Sequence, residues 1–186
     1  MGGIVKGLDL KLPCFMAICL VGSLGAAPPE GVTPVKKLEF LAGEDGVLAG
    51  QTLRVALRVS LAGEFHVNSH VPSTEYLIPT TFDLVAPEGF TAQGWDFPEG
   101  KNKRFPYSDV PLSVYEGTFV IRGSLKIAEG TLPGGKQARG MLKYQACTSQ
   151  RCYPPKKEEV TLEFRVVPPG TTVQPLHPEV FRPVAP

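Results

Sequence analysis

The chain has 186 residues, 19 Lys and Arg against 18 Asp and Glu, 20 Gly, 19 Pro and four Cys, which bounds it to one or at most two globular domains. Those figures exclude a collagen, a coiled coil and a disordered charged tail. A net charge of +1 gives no reason to expect nucleic acid or an anionic membrane surface as partner.

In chain order, the first element is a leader. Lys6 and Lys11 precede the apolar stretch from Leu12 to Leu24, which ends among Ser23, Gly25, Ala26 and Ala27, the small residues a signal peptidase accepts. Pro13 and Gly22 interrupt a stretch already short for a bilayer span, which needs roughly 20 apolar residues. The expectation is a signal peptide over 1–27, cleaved or kept as a membrane anchor, and hence a periplasmic or otherwise exported protein. A lipoprotein reading at Cys19 is disfavoured because Ile18 stands where a small residue is needed. Cleavage near Ala27 removes Cys14 and Cys19 and leaves one pair, Cys147 and Cys152, in a disulfide-permissive compartment.

Beyond the leader the pattern is β throughout. Leu53, Val55, Leu57, Val59 and Leu61 alternate with Arg54, Arg58 and Ser60, as a strand with one buried face requires. Shorter copies stand at Leu38 and Phe40, Phe65 and Val67, Phe82 and Leu84, Phe119 and Ile121, Leu125 and Ile127, Leu142 and Tyr144, and from Val160 to Val166. Turn formers separate them, at Gly43 to Gly50, Pro87 to Gly89, Pro98 to Gly100, Gly130 to Gly135 and Pro154 with Pro155. About eight strands with no alternating helices predict an all-β, antiparallel β-sandwich over 28–167. The proline-rich stretch 168–186 reads as an extended tail or a strap along a sheet edge.

The chemistry-bearing feature is the run Tyr144-Gln145-Ala146-Cys147-Thr148-Ser149-Gln150-Arg151-Cys152-Tyr153-Pro154-Pro155. Four residues separate the thiols, a spacing that closes as a disulfide if the chain turns back and brings the α-carbons within roughly 4.4 to 6.8 Å. So short a loop gains only about 2 kcal/mol by closure, against almost 5 for a loop of about a hundred residues, so a purely structural bridge joining distant strands would have gained more. Arg151 beside Cys152, with Lys156 and Lys157 behind, favours the thiolate that exchange chemistry uses. On the residues alone, a redox-active pair, a structural staple and metal ligation all remain open.

The cysteine run with its Tyr-Pro-Pro exit resembles the redox-active segment of the N-terminal periplasmic domain of the thiol:disulfide interchange protein DsbD. Phe65-His66-Val67-Asn68-Ser69 and Tyr76-Leu77-Ile78-Pro79-Thr80 look like another recurring stretch of that family, and with the strands the resemblance spans Val35 to Val167. It implies an immunoglobulin-like sandwich and a protein-disulfide reductase type of activity. Cys147 and Cys152 would exchange electrons with thioredoxin-fold periplasmic proteins. It further implies a cap loop with an aromatic ring over the pair, matched here by Lys103-Arg104-Phe105-Pro106-Tyr107, with Phe105 as the first choice of cap and Tyr107 the second. DsbD itself continues into a transmembrane carrier and a thioredoxin-like domain, so a separate membrane electron carrier is the expected donor here. The competing expectation is a non-catalytic immunoglobulin-like interaction module whose disulfide pins a hairpin.

Other candidates are weaker. His66 and His70 have a spacing that suits a metal on a helix, but Phe65 to Val67 reads as strand and no third ligand is near. No metal and no cofactor are therefore expected. No nucleophile elbow, phosphate-cradling glycine loop or dinucleotide fingerprint occurs. Lys101, Lys103 and Arg104 read as a solvated loop too small for nucleic acid, Glu158 and Glu159 as a solvated turn, and Trp95 and Tyr115 as packing residues.

Overall fold

The computed structural model describes residues 1–2, 31 and 33–181. The expected leader, with Cys14 and Cys19, falls almost wholly outside the described residues, as does the tail beyond Phe181. The strands are β1 (Val35–Ala42), β2 (Val47–Leu48), β3 (Thr52–Leu61), β4 (His66–Asn68), β5 (Thr81–Val85), β6 (Phe90–Asp96), β7 (Lys101–Lys103), β8 (Leu112–Glu116), β9 (Thr118–Ile127), β10 (Gly134–Tyr144), β11 (Ala146–Cys147) and β12 (Lys156–Val167). One helical turn follows, α1 (Pro178–Phe181). The fold is an all-β, immunoglobulin-like antiparallel β-sandwich in which the short β2 pairs in parallel with β12.

The first sheet has the order β1-β3-β9-β6 and the second β2-β12-β10-β5. Their facing sides make the core. Leu53, Val55 and Leu57 of β3, Ile121, Leu125 and Ile127 of β9, and Ala138, Leu142 and Leu162 of the second sheet are at most 3% exposed. Burying each large aliphatic side chain is worth roughly 1.5–3 kcal/mol. Aromatic contacts lock the sheets together: Phe40 meets Phe82 edge-on at 5.5 Å, Phe82 meets Trp95 at 4.7 Å, and Phe90 meets Phe164 at 5.4 Å. Phe82 reaches its place because Gly140 lies beneath it; a Cβ there would stand 2.2 Å from the ring.

Part of the outer face of the first sheet is covered by α1. Arg54, Ala56 and Arg58 alternate outward on β3, and Arg122 is the register partner of Ala56. Arg122 donates to the Val180 carbonyl at 2.9 Å, Arg58 pairs with Glu179 at 3.4 Å and Arg54 lies over the Phe181 ring. Val180 is thereby buried. Before this turn the proline-rich stretch is tied to the β1–β2 connection, where the Leu176 amide donates to Gly43 at 2.7 Å and the Asp45 amide to Gln174 at 3.0 Å.

A third sheet, β11-β4-β8-β7, is built from continuations of the core strands: β3 runs on into β4, β8 into β9, and β10 into β11. Strands that switch sheets need a sharp bend. Between β8 and β9 that bend is Gly117, whose φ of 63° lies in the left-handed region and whose carbonyl accepts from the Leu61 amide at 2.8 Å. This sheet carries the cysteine pair.

Several local expectations change. The stretches around Phe119 and Leu125 form one strand, β9, rather than two. Lys101 and Lys103 sit in β7, an edge strand. Glu158 and Glu159 lie within β12, and Glu158 accepts from the buried Tyr144 hydroxyl at 3.1 Å. Burial and the Glu158 charge raise the pKa of that hydroxyl.

Candidate functional site

Cys147 and Cys152 form a disulfide across a tight hairpin. The Thr148 amide donates to the Arg151 carbonyl and the Tyr153 amide to the Ala146 carbonyl, both at 2.9 Å. The two cysteines thus face each other in a non-hydrogen-bonded antiparallel pair, the narrow site of such a ladder, with α-carbons 3.9 Å apart. Thr148 shapes the turn: its hydroxyl accepts from the amides of Gln150 and Arg151 at 3.3 and 3.4 Å. At the exit, the Gln145 side chain donates to the Tyr153 carbonyl at 3.2 Å.

The two sulfur-bearing residues differ in access. Cys147, in β11, is 1% exposed, whereas Cys152, in the returning arm, is exposed. Of the two, Cys152 is therefore the more accessible from solvent. Arg151, the residue expected to favour a thiolate, places its guanidinium 5.0 Å from the Tyr153 ring centroid and donates to the Tyr153 hydroxyl at 3.3 Å. Tyr153 in turn packs edge-on against Phe65 at 5.8 Å.

β11 pairs with β4, so that Cys147 faces His66, and β4 pairs with β8, so that His66 faces Glu116. Directly opposed residues project from the same face of a sheet. Cys147, His66 and Glu116 consequently form one row across the third sheet. Lys103 of β7, whose own register partner is Leu112, reaches along β8 to an ion pair with Glu116 at 2.5 Å.

Both residues expected to act as cap meet this row at His66. The Phe105 ring lies flat on the imidazole, with centroids 4.1 Å apart and planes inclined by 16°. The Tyr107 hydroxyl is hydrogen-bonded to His66 Nε2 at 2.9 Å, and the two aromatic rings stack on each other at 5.4 Å. Burial pushes the His66 pKa down, partly countered by the Glu116 charge, and pushes the Tyr107 hydroxyl up.

The other histidine of the pair is turned to different work. His70 stacks on Phe97 at 3.8 Å and its Nδ1 is hydrogen-bonded to the Thr80 carbonyl at 3.0 Å. Among the described residues no group of three or more His, Cys, Asp or Glu is placed to hold a metal ion, and no helix is long and apolar enough to cross a membrane.

The sequence leaves His66 as a strand residue either near the redox pocket or at the surface; the structure buries it opposite Cys147. Its signal was a polar residue between Phe65 and Val67 in a strand whose residues are all buried, so period-2 patterning assigned it no face. The importance of Glu116 lies only in its register.

The sequence matches the family described as the thiol:disulfide interchange protein DsbD, N-terminal, over residues 37–163, a span that contains both cysteines and the loop bearing Phe105. Among solved structures, the Neisseria meningitidis DsbD N-terminal domain in the reduced form is similar with a TM-score of 0.41 and 18% identity, over 81% of this chain and 94% of that one. The N-terminal periplasmic domain of ScsB from Proteus mirabilis is similar with a TM-score of 0.48 and 14% identity, over 69% of this chain and 47% of that one. The GAE domain of GGA2p from Saccharomyces cerevisiae gives 0.39 and 11%, over 74% and 94%. No curated protein matches the chain.

Proposed function

Because the chain belongs to the family of the N-terminal domain of the thiol:disulfide interchange protein DsbD, we propose that it is an exported, periplasmic exchange domain that relays electron pairs through Cys147–Cys152 to and from thioredoxin-fold partners. A partner thiolate attacks the Cys152 sulfur, the bond to Cys147 breaks, and Cys147 leaves as a thiolate that takes up a proton. The partner's second thiolate then attacks its own sulfur in the mixed disulfide and releases Cys152. The partner ends as a disulfide, and this domain has gained two electrons and two protons. The reverse sequence passes the pair to an oxidised acceptor.

The observation that carries this reading is the pairing of one buried and one exposed cysteine in a short closed hairpin. In this reading Phe105 is the cap, with Tyr107 beside it, and Arg151 favours the Cys152 thiolate. Residues 1–27 are the leader or anchor, 28–167 the exchange domain and 168–186 its proline-rich tail, and the electrons come from a separate membrane carrier.

Equilibration of the protein with thioredoxin tests it. A reduction potential between about −120 and −270 mV, the range of exchange proteins, supports the relay. A value below about −300 mV belongs to an inert staple and would favour the interaction module instead.

A further inference from the structure

The loop between β7 and β8 has turns of its own: the Ser108 amide donates to the Phe105 carbonyl at 3.1 Å, and the Ser108 hydroxyl to the Val110 carbonyl at 2.8 Å. Both of its aromatic side chains also meet the imidazole of His66 in the third sheet. That imidazole leaves the sheet on the same face as Cys147. His66 therefore links the loop to the disulfide's face, and it is titratable.

We propose that His66 is the positioning residue that holds the Phe105–Tyr107 loop against the face of the sheet that carries Cys147, and that protonation of its imidazole releases the loop and widens the attacking thiolate's approach to the already exposed Cys152. The inference deepens the exchange reading above and rests on it for its biological meaning.

The charges around His66 set the direction of the switch. From β8 the Glu116 carboxylate favours the imidazolium, from β7 the Lys103 ammonium opposes it, and Tyr107 faces it from the loop. Its neighbour on β11 is Cys147, which does not titrate while bridged. Burial outweighs the Glu116 charge and holds the closed-state pKa below the ordinary imidazole value. Lifting the loop rehydrates the ring and lets its pKa return toward about 6.5. The open state therefore binds the proton better. Closure is fully favoured above the open-state value and is lost progressively as the pH falls toward the depressed closed-state one.

The test is the rate at which tris(2-carboxyethyl)phosphine reduces the disulfide between pH 5 and 8, each rate divided by that for oxidised glutathione at the same pH. Removing the hydrogen bond with Tyr107→Phe, which keeps the ring stack, should speed normalised reduction about 2- to 10-fold at pH 8, the worth of one such bond. The advantage should vanish near pH 5. His66→Leu should be fast at every pH and lose the wild-type inflection. A wild-type inflection that survives in His66→Leu, or a Tyr107→Phe advantage that does not change with pH, overturns the proposal.

If His66→Leu does not fold, the imidazole resonances of His66 in Tyr107→Phe and Phe105→Ala decide the matter. Their titration midpoint should move up relative to wild type, and an unmoved midpoint overturns the proposal. The phosphine needs no partner protein, so a failed thioredoxin equilibration beside an intact pH pattern would sink the relay and leave the latch standing.

Discussion

Cys147 is 1% exposed while Cys152, its partner in the disulfide, lies at the surface. The difference predicts which sulfur is attacked. In Cys147→Ser the remaining Cys152 thiol should form a stable mixed disulfide with a thioredoxin-fold protein lacking its own resolving cysteine. In Cys152→Ser the buried thiol should trap at least about tenfold less, a difference of roughly 1.4 kcal/mol in access. Non-reducing electrophoresis and intact mass measure both adducts. A stronger adduct from Cys152→Ser would reverse the assignment.

Arg151 stands next to Cys152, yet its guanidinium is committed to the Tyr153 ring and hydroxyl. It is also exposed, so its field at the thiol is screened by water and salt. Arg151→Ala should raise the Cys152 thiol pKa in the reduced protein by less than about one unit, with the effect shrinking as salt is added. Iodoacetamide alkylation followed against pH reads it. A lowered pKa would remove Arg151 from the chemistry.

What the sequence made legible depended on locality. The alternation from Leu53 to Leu61 reports a strand with one buried face because each residue carries its own signal. β10 was foreseen only at Leu142 and Tyr144, although it runs from Gly134: glycines read as turns, and only the Phe82 ring explains why Gly140 belongs in a strand. β6 was missed because it is an edge strand with a register shift between Gln93 and Trp95, so its side chains do not keep one alternation. The cysteine run, twelve residues from Tyr144 to Pro155, is readable as a unit that can close. The row joining Cys147 to His66 and Glu116 is not, because strand register brings together three residues distant in sequence.

Gly140 makes a sharp stability prediction. In Gly140→Ala the new Cβ would stand 2.2 and 2.5 Å from two Phe82 ring atoms and 3.3 Å from a Val160 methyl. Phe82 cannot simply swing away, since Phe40 and Trp95 hold its ring. Overpacking of this kind costs about 1–3 kcal/mol. The variant should melt about 2–12 °C lower, and Phe82→Leu in the same chain should recover part of the loss. An unchanged melting temperature would mean that the sheets separate more easily than their aromatic contacts imply.

The last prediction concerns acid stability. Glu39 on β1 faces Arg58 on β3 in the ladder, accepts from its guanidinium at 2.9 Å and also pairs with Lys37 at 2.9 Å. The Arg58 hydrogen bond, followed by that from Lys37, holds the Glu39 carboxyl below its ordinary value. In the unfolded chain the ordinary value returns, so the unfolded state binds the proton more readily. The stabilisation is therefore fully present above the ordinary carboxylate value of about 4.3 and is lost as the pH falls through the depressed folded one. Glu39→Gln should lower stability at pH 7 and flatten the decline between about pH 5 and 3, so that its unfolding curves converge on those of the wild type in acid. Urea denaturation at pH 7, 5 and 3 measures this. Parallel curves, with the same gap at every pH, would show that the carboxylate's charge contributes nothing to holding β1 against β3.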